Sequence, residues 1–302
     1  MSESAIDTEG LTKHYGEVRA LENLDLEVNM GEVFGFLGPN GAGKTTMIRT
    51  ILDLIRPTAG TARIVGLDSH ADAVEIRNHI GYLPSDLSMY DNLTGRDMIT
   101  YFANLRGGVD KGYVDELAQR LSADLSKKIG DYSSGNRQKV GLILTFMSRP
   151  GVLIMDEPSS GLDPLVQREF QSMMREVASE GRAVFLSSHT LSEVQRVADR
   201  VGIIRAGHLV DVEFVDDLRS KAVRKVELSF TTPVEASVFE GIEGVRDVAV
   251  ASRHAAMSFD GSMDTLLRVA TEKYTLVDIN TQEADLEEIF LEYYRADDAV
   301  NA

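Results

Sequence analysis

The octapeptide GPNGAGKT, Gly38 to Thr45, has the G-x-x-x-x-G-K-[ST] spacing of a phosphate-binding loop. Gly38, Gly41 and Gly43, with Pro39, Asn40 and Ala42 between them, let backbone N–H groups turn inward around phosphate oxygens. Lys44 neutralises the outer phosphates. The Thr45 hydroxyl can hold Mg²⁺, and Thr46 completes the candidate phosphate-binding residues. The competing reading is a glycine turn that only caps a helix. A second cluster, Asp156 and Glu157, ends the apolar run VLIMDEP. At a strand end in a nucleotide site, Asp156 would orient the water shell of a metal and Glu157 would polarise an attacking water. Alone, the pair reads equally well as a solvent-facing acidic turn. His189 ends AVFLSSH and could donate to a terminal phosphate, although a lone histidine is more often structural.

A fourth stretch, DYSSGNRQKV (Asp131 to Val140), places Ser133 and Ser134 directly before the apolar residues Val140, Leu142, Ile143, Leu144, Phe146 and Met147. Serine before such a run marks a helix start, and a helix start presents N–H groups to an anion.

These residues need elements to hold them. GEVFGFLG reads as a buried strand running into the first loop. KTTMIRTILDLI carries Met47, Ile48, Ile51, Leu52 and Ile55 on one helical stripe, with Pro57 and Gly60 as its stop. Residues 90–128 read as mostly helical, broken at GGVDKG, and a further helix runs from the serines to about Pro150. VLIMDEP and AVFLSSH are continuous apolar runs of the kind found in buried parallel strands. Between them residues 165–180 read as a helix. In TLSEVQRVADRV, Thr190 and Glu193 have capping-box spacing before an amphipathic helix. Strands alternating with helices give an α/β fold with a parallel sheet and crossover helices. From about residue 215 the pattern changes. The strands KVELSF, VRDVAVAS, AAMSFD and LVDIN alternate with helical stretches near 233–240 and 262–272, and ADLEEIFLEYY reads as a closing helix. That order is β-α-β-β-α-β, a small ferredoxin-like α+β domain. The last residues, ADDAVNA, read as a frayed tail.

At 302 residues the chain is long enough for two domains. Its net charge of −17 excludes a nonspecific nucleic-acid binder and a binder of anionic membrane surfaces. The absence of cysteine rules out disulfides and thiolate metal sites. No apolar run approaches the roughly 20 residues of a membrane helix, and MSESAIDTEG lacks a basic region followed by an apolar one, so neither a span nor a signal peptide is expected.

Taken in order, these motifs resemble the ATPase subunit of an ABC transporter over roughly residues 5–215. Tyr15 in KHYG is similar to the family's adenine-stacking aromatic. GPNGAGKTT is similar to Walker A, VLIMDEP to Walker B with Glu157 as the catalytic glutamate, and SGLDP, with Asp163, to the D-loop. His189 is similar to the switch histidine. YSSGN falls where the family carries LSGGQ. Two departures stand out. Ser134 replaces the first signature glycine, with Ser133, Gly135 and Asn136 around it. In IGYLPSD, Ser85 followed by Asp86 occupies the position of the Q-loop glutamine, and serine is too short for that reach.

The resemblance implies a P-loop ABC ATPase core at 1–215 with a helical signature subdomain at about 86–150, followed by the accessory domain at 216–302. It implies ATP and Mg²⁺, the metal held by Thr45 and Asp156, and catalysis by Glu157, His189 and Lys44. The partners it implies are a multi-spanning membrane permease and a second copy of the chain, or a paired ATPase, whose signature would serve the other's ATP. The expected location is the cytoplasmic face of the membrane, reached through the permease. The C-terminal extension and the wording of YSSGNRQKV resemble the daunorubicin and tetronasin type of drug-export ATPases. An importer ATPase is the nearest alternative. A ribosome-associated ABC protein would carry two cassettes and basic surfaces, a chromosome-associated one would carry long coiled coil, and a P-loop kinase would lack the signature helix.

Overall fold

The computed structural model describes residues 4–221 and 224–282. The chain divides at Phe214/Val215 into two compact units.

The first unit begins with long strands β1 (Ser4–Tyr15) and β2 (Val18–Asn29) and the short buried strand β3 (Val33–Leu37). Helix α1 (Lys44–Ile51) leads to β4 (Ala59–Ile64), β5 (Leu67–Asp68), α2 (Ala73–His79) and β6 (Ile80–Leu83). Three helices follow before the next strand: α3 (Gly95–Leu105), α4 (Lys111–Arg120) and α5 (Ser134–Phe146). The chain then alternates through β7 (Val152–Asp156), α6 (Pro164–Ser179), β8 (Ala183–Ser188), α7 (Leu191–Gln195), β9 (Arg200–Arg205) and β10 (His208–Phe214).

Two sheets result. One is antiparallel, in the order β2-β1-β4-β5. The other is six-stranded, β10-β9-β3-β8-β7-β6, and parallel except for the β9–β10 pair. Strands β3, β7 and β8 are buried at every position, which explains their unbroken apolar runs. Phe34 stacks on Phe185 at 5.9 Å across β3 and β8, in a core shared with Leu11, Leu24 and Val28 of the antiparallel sheet. The order β3-β8-β7 sets three strand ends side by side, and these are the ends that carry the loop at Gly38, His189 and the Asp156–Glu157 pair.

The second unit contains α8 (Val215–Lys221), β11 (Arg224–Phe230), β12 (Val245–Ala251), β13 (His254–Phe259), α9 (Met263–Lys273) and β14 (Leu276–Gln282). Its sheet is antiparallel in the order β12-β13-β11-β14, the split β-α-β arrangement of a ferredoxin-like domain. Val226, Leu228, Phe230, Met257 and Phe259 of the sheet pack on Leu266 and Ala270 of α9.

Several boundaries differ from expectation. Helix α1 stops at Ile51, before Pro57, because Asp53 turns left-handed (φ 54°) and the Leu54 N–H closes back on the Arg49 carbonyl at 2.9 Å. The apolar stripe gave the buried face of this helix but not its end. Residues 121–128 are not helical, and α5 ends at Phe146 rather than near Pro150. The Thr190–Glu193 capping box is not formed. The Ser188 hydroxyl receives the Thr190 N–H at 3.0 Å and lies 3.2 Å from the Glu193 carboxylate, and α7 is only five residues long. The stretch near 233–240 holds a 3₁₀ turn, Ala236–Val238, and no α-helix. ADLEEIFLEYY and ADDAVNA lie outside the described residues.

Candidate functional site

The loop between β3 and α1 is fixed first by its own backbone. The Gly38 N–H donates to the Ser188 carbonyl of β8 at 3.2 Å, and the Ala42 N–H to Pro39 at 3.1 Å. Gly43 precedes the helix at φ 115°, where an added Cβ would lie 2.6 Å from the Ala20 carbonyl, so only glycine fits. No side chain caps the N-terminus of α1, so its first N–H groups have no side-chain acceptor.

Lys44 is almost completely buried. Its Nζ donates to the carbonyls of Gly38 (2.7 Å) and Pro39 (3.2 Å) and lies 3.4 Å from Glu157 Oε1. The Thr45 hydroxyl donates to Asp156 Oδ2 at 2.7 Å. Asp156 is fully buried, and its second oxygen takes the Ser187 hydroxyl proton at 2.5 Å. Burial, with the Asp156 charge nearby, pushes the Tyr82 phenol above its ordinary range, so this neighbour stays neutral. Glu157 turns left-handed at φ 52°, its N–H held by the Ser187 carbonyl and hydroxyl, both at 3.2 Å. Glu157 Oε2 lies 2.9 Å from His189 Nδ1. Glu157 Oε1 is buried with no hydrogen-bond partner.

The structure therefore brings Lys44, Thr45, Asp156, Glu157 and His189 into one cluster across three neighbouring strand ends. The hard oxygens of Thr45 and Asp156 suit Mg²⁺. The orphaned Glu157 oxygen beside Lys44 is a buried acceptor in want of a donor such as a water. Ser187 was not singled out in the sequence. Two polar residues ending the buried run AVFLSSH were its signal.

The remaining residues sit apart from this cluster. Tyr15, at the end of β1, is 49% exposed, and Lys13 Nζ lies 4.9 Å from its ring centroid. Ser85 and Asp86 are exposed just beyond β6. Ser133 is the N-cap of α5, as its position predicts, and its hydroxyl accepts the Asn136 N–H at 3.2 Å. Ser134 opens the helix. Gly135 presses on the Gly161 carbonyl, which an added Cβ would approach to 2.6 Å. Asn136 does not lie open at the helix tip. Its side chain accepts the Asp124 N–H (2.9 Å) and donates to the Asp124 carbonyl (2.8 Å), clamping the loop after α4. Asp163 caps α6 through the Leu165 and Val166 N–H groups and lies 3.7 Å from Lys139 Nζ. The Val166 N–H, with help from Lys139 and against a smaller opposing effect of desolvation, holds its carboxyl below the usual range.

Comparisons with known proteins point to one family. The family described as "ABC transporter" matches residues 21–160. The bacitracin transport ATP-binding protein BcrA of Enterococcus faecalis is 33% identical over 95% of this chain and 96% of its own length. The daunorubicin resistance ATP-binding protein DrrA3 of Streptomyces coeruleorubidus is 35% identical over 73% of this chain and 72% of its own. A solved ATP-binding subunit of an ABC transporter superposes with a TM-score of 0.65 at 30% identity, covering 71% of this chain and 92% of that one. With a relative one-third identical over nearly the whole chain and a solved ATP-binding subunit on the same fold, the chain belongs to the ABC transporters, as one of their ATP-binding and ATP-hydrolysing subunits.

Proposed function

We propose that this chain powers the export of drug-like or antibiotic molecules through a separate multi-spanning permease, working as a pair of identical copies at the cytoplasmic face of the membrane. The observation that carries the hydrolytic part is the cluster of Lys44, Thr45, Asp156, Glu157 and His189 at adjacent strand ends. Export rests on the relatives named for bacitracin transport and daunorubicin resistance, the first of which spans nearly the whole chain. No helix among the described residues is long and apolar enough to cross a membrane, so the permease is a separate chain in this reading.

In the proposed site, the α1 N-terminus and Lys44 hold the phosphates. Thr45 and Asp156 would hold Mg²⁺, which supplies charge neutralisation for the phosphate oxygens. Glu157 Oε1 takes a proton from the attacking water. The carboxylate orients His189 through Nδ1, leaving Nε2 to face the terminal phosphate. Tyr15 stacks on the base. Ser133, Ser134 and the α5 N-terminus meet the ATP held by the other copy, with Asp163 beside the junction. Exposed Ser85 and Asp86 occupy the Q-loop position. A groove of about 350 Å³ lined by Leu83, Leu87, Met89, Met98, Phe102 and Leu144 is where a permease segment would dock. Phe102 is edge-on to the exposed Tyr101, itself against Tyr90.

The test is Glu157→Gln. ATP hydrolysis should fall by at least about a hundredfold, the scale of a general base, while ATP binding is retained. A variant that hydrolyses ATP at the parental rate would remove Glu157 from the chemistry.

A further inference from the structure

We propose that Gln138 is a positioning residue for Glu157, so that helix α5 serves two nucleotide sites: its own copy's through Gln138 and the other copy's through its N-terminus. This rests on the reading of Glu157 and of the paired copies given above.

Glu157 adopts a left-handed backbone (φ 52°), which side-chain-bearing residues disfavour and which surrounding contacts must hold in place. On its N-terminal side those contacts come from Ser187. On its C-terminal side the Pro158 carbonyl accepts a hydrogen bond from Gln138 Nε2 at 2.8 Å. Gln138 is buried, 7% exposed, so this carbonyl has no ready replacement from solvent. Gln138 lies five residues after the cap Ser133, in the second turn of α5. One turn earlier, Gly135 packs against the Gly161 carbonyl. The first turns of α5 therefore grip the 158–161 segment, directly after Glu157, at both ends: by a hydrogen bond at Pro158 and by close packing at Gly161. An α-helix moves as a rigid rod over this length. A shift of its N-terminus on meeting the other copy's ATP is passed to Pro158, and through it to the carboxylate of Glu157.

Three variants of the full chain test this in steady-state ATP hydrolysis. Gln138→Met keeps length and bulk and loses the donor. Its kcat should fall at least about tenfold, the scale of a misplaced catalytic group, with KM for ATP within about twofold of the parent. In Gln138→Glu the protonated carboxyl can donate to Pro158 and the carboxylate cannot. The ratio of its kcat to that of the parent should fall as pH rises through the titration of a buried carboxyl. A side chain that served packing alone would lower thermal stability with neither the split of kcat from KM nor this pH slope. A Met variant with parental kcat overturns the proposal, as does a Glu variant whose ratio is flat with pH. If the Met variant does not fold, the pH profile of the Glu variant decides. Glu157→Gln, run alongside, separates the two readings. If it is inactive while Gln138→Met is normal, only the role of Gln138 fails. If it is fully active, the role of Glu157 fails and this proposal falls with it.

Discussion

At the scale of single residues, Gly135 has room for a hydrogen and nothing larger. A Cβ would stand 2.6 Å from the Gly161 carbonyl, a backbone atom that cannot swing aside. Gly135→Ala should cost about 1–3 kcal/mol by overpacking and lower hydrolysis at least tenfold, while the chain's own phosphate loop still binds ATP. Nucleotide affinity and turnover measured on one preparation check both parts, and a fall in affinity equal to the fall in rate would count against the assignment. Ser133 and Gly135 were legible in the sequence because a cap and a small residue before an apolar helix have few other uses. Asn136 was not. Its type and place suggested a group facing nucleotide, yet its amide is spent on the Asp124 backbone. Gln138 was passed over for the same reason. Where an amide points depends on a loop brought near only by the fold, and no local spacing encodes that.

At the scale of elements, helix α4 is tied to α6 by one residue. Arg120 donates to Glu169 at 2.5 Å and to both oxygens of Glu176 at 2.6 and 2.7 Å, and it is itself only 24% exposed. That bond, against a smaller opposing cost of burial, holds the Glu176 carboxyl below its usual range. A depressed carboxyl pKa gives stability that is present above the unfolded pKa and lost as pH falls through the folded one. Both acids are about half or one-third exposed, so the tie is screened. Arg120→Met should therefore cost about 1 kcal/mol and lower Tm by about 2–4 °C at neutral pH. The gap to the parent should narrow on acidification below the ordinary carboxylate range, and thermal melts across that range decide it. The elements themselves were mostly visible, because a strand buried on both faces must be apolar throughout, as in β3, β7 and β8. Their ends were less so. The stop of α1 lies in a left-handed aspartate, and the cap of α7 was lost because the Ser188 hydroxyl takes the Thr190 N–H.

At the scale of the whole molecule, the first unit holds all the hydrolytic residues and the helix that would complete a second site, so the question is whether two copies share their sites. The order β-α-β-β-α-β in the second unit was readable from alternation alone, although its first helix is only a 3₁₀ turn. The pairing of copies was inferred from the serine-glycine helix start, which one chain's phosphate loop does not need. A mixing experiment tests it. Lys44→Ala removes the buried amine that donates to Gly38 and Pro39 and should silence the phosphate loop, while leaving α5 intact. Ser133→Asp keeps a capping oxygen on α5 but sets a negative charge at its exposed tip, against the other copy's phosphates, and should silence α5 while leaving its own chain's phosphate loop and Glu157 intact. Each variant alone has two broken composite sites. In an equal mixture, random pairing makes half of the dimers mixed. Each mixed dimer has one site built from a sound loop and a sound helix, and one site with both parts broken. Hydrolysis should recover to about a quarter of the parental rate if the sites act independently, and to less if both must fire together. The sum of two inactive preparations remaining inactive at every ratio would mean either that the sites are strictly interdependent or that copies do not share them. Repeating the mixture with parental chain in place of one variant tells these apart, because strict interdependence makes either variant poison the parent and independent chains leave its rate untouched.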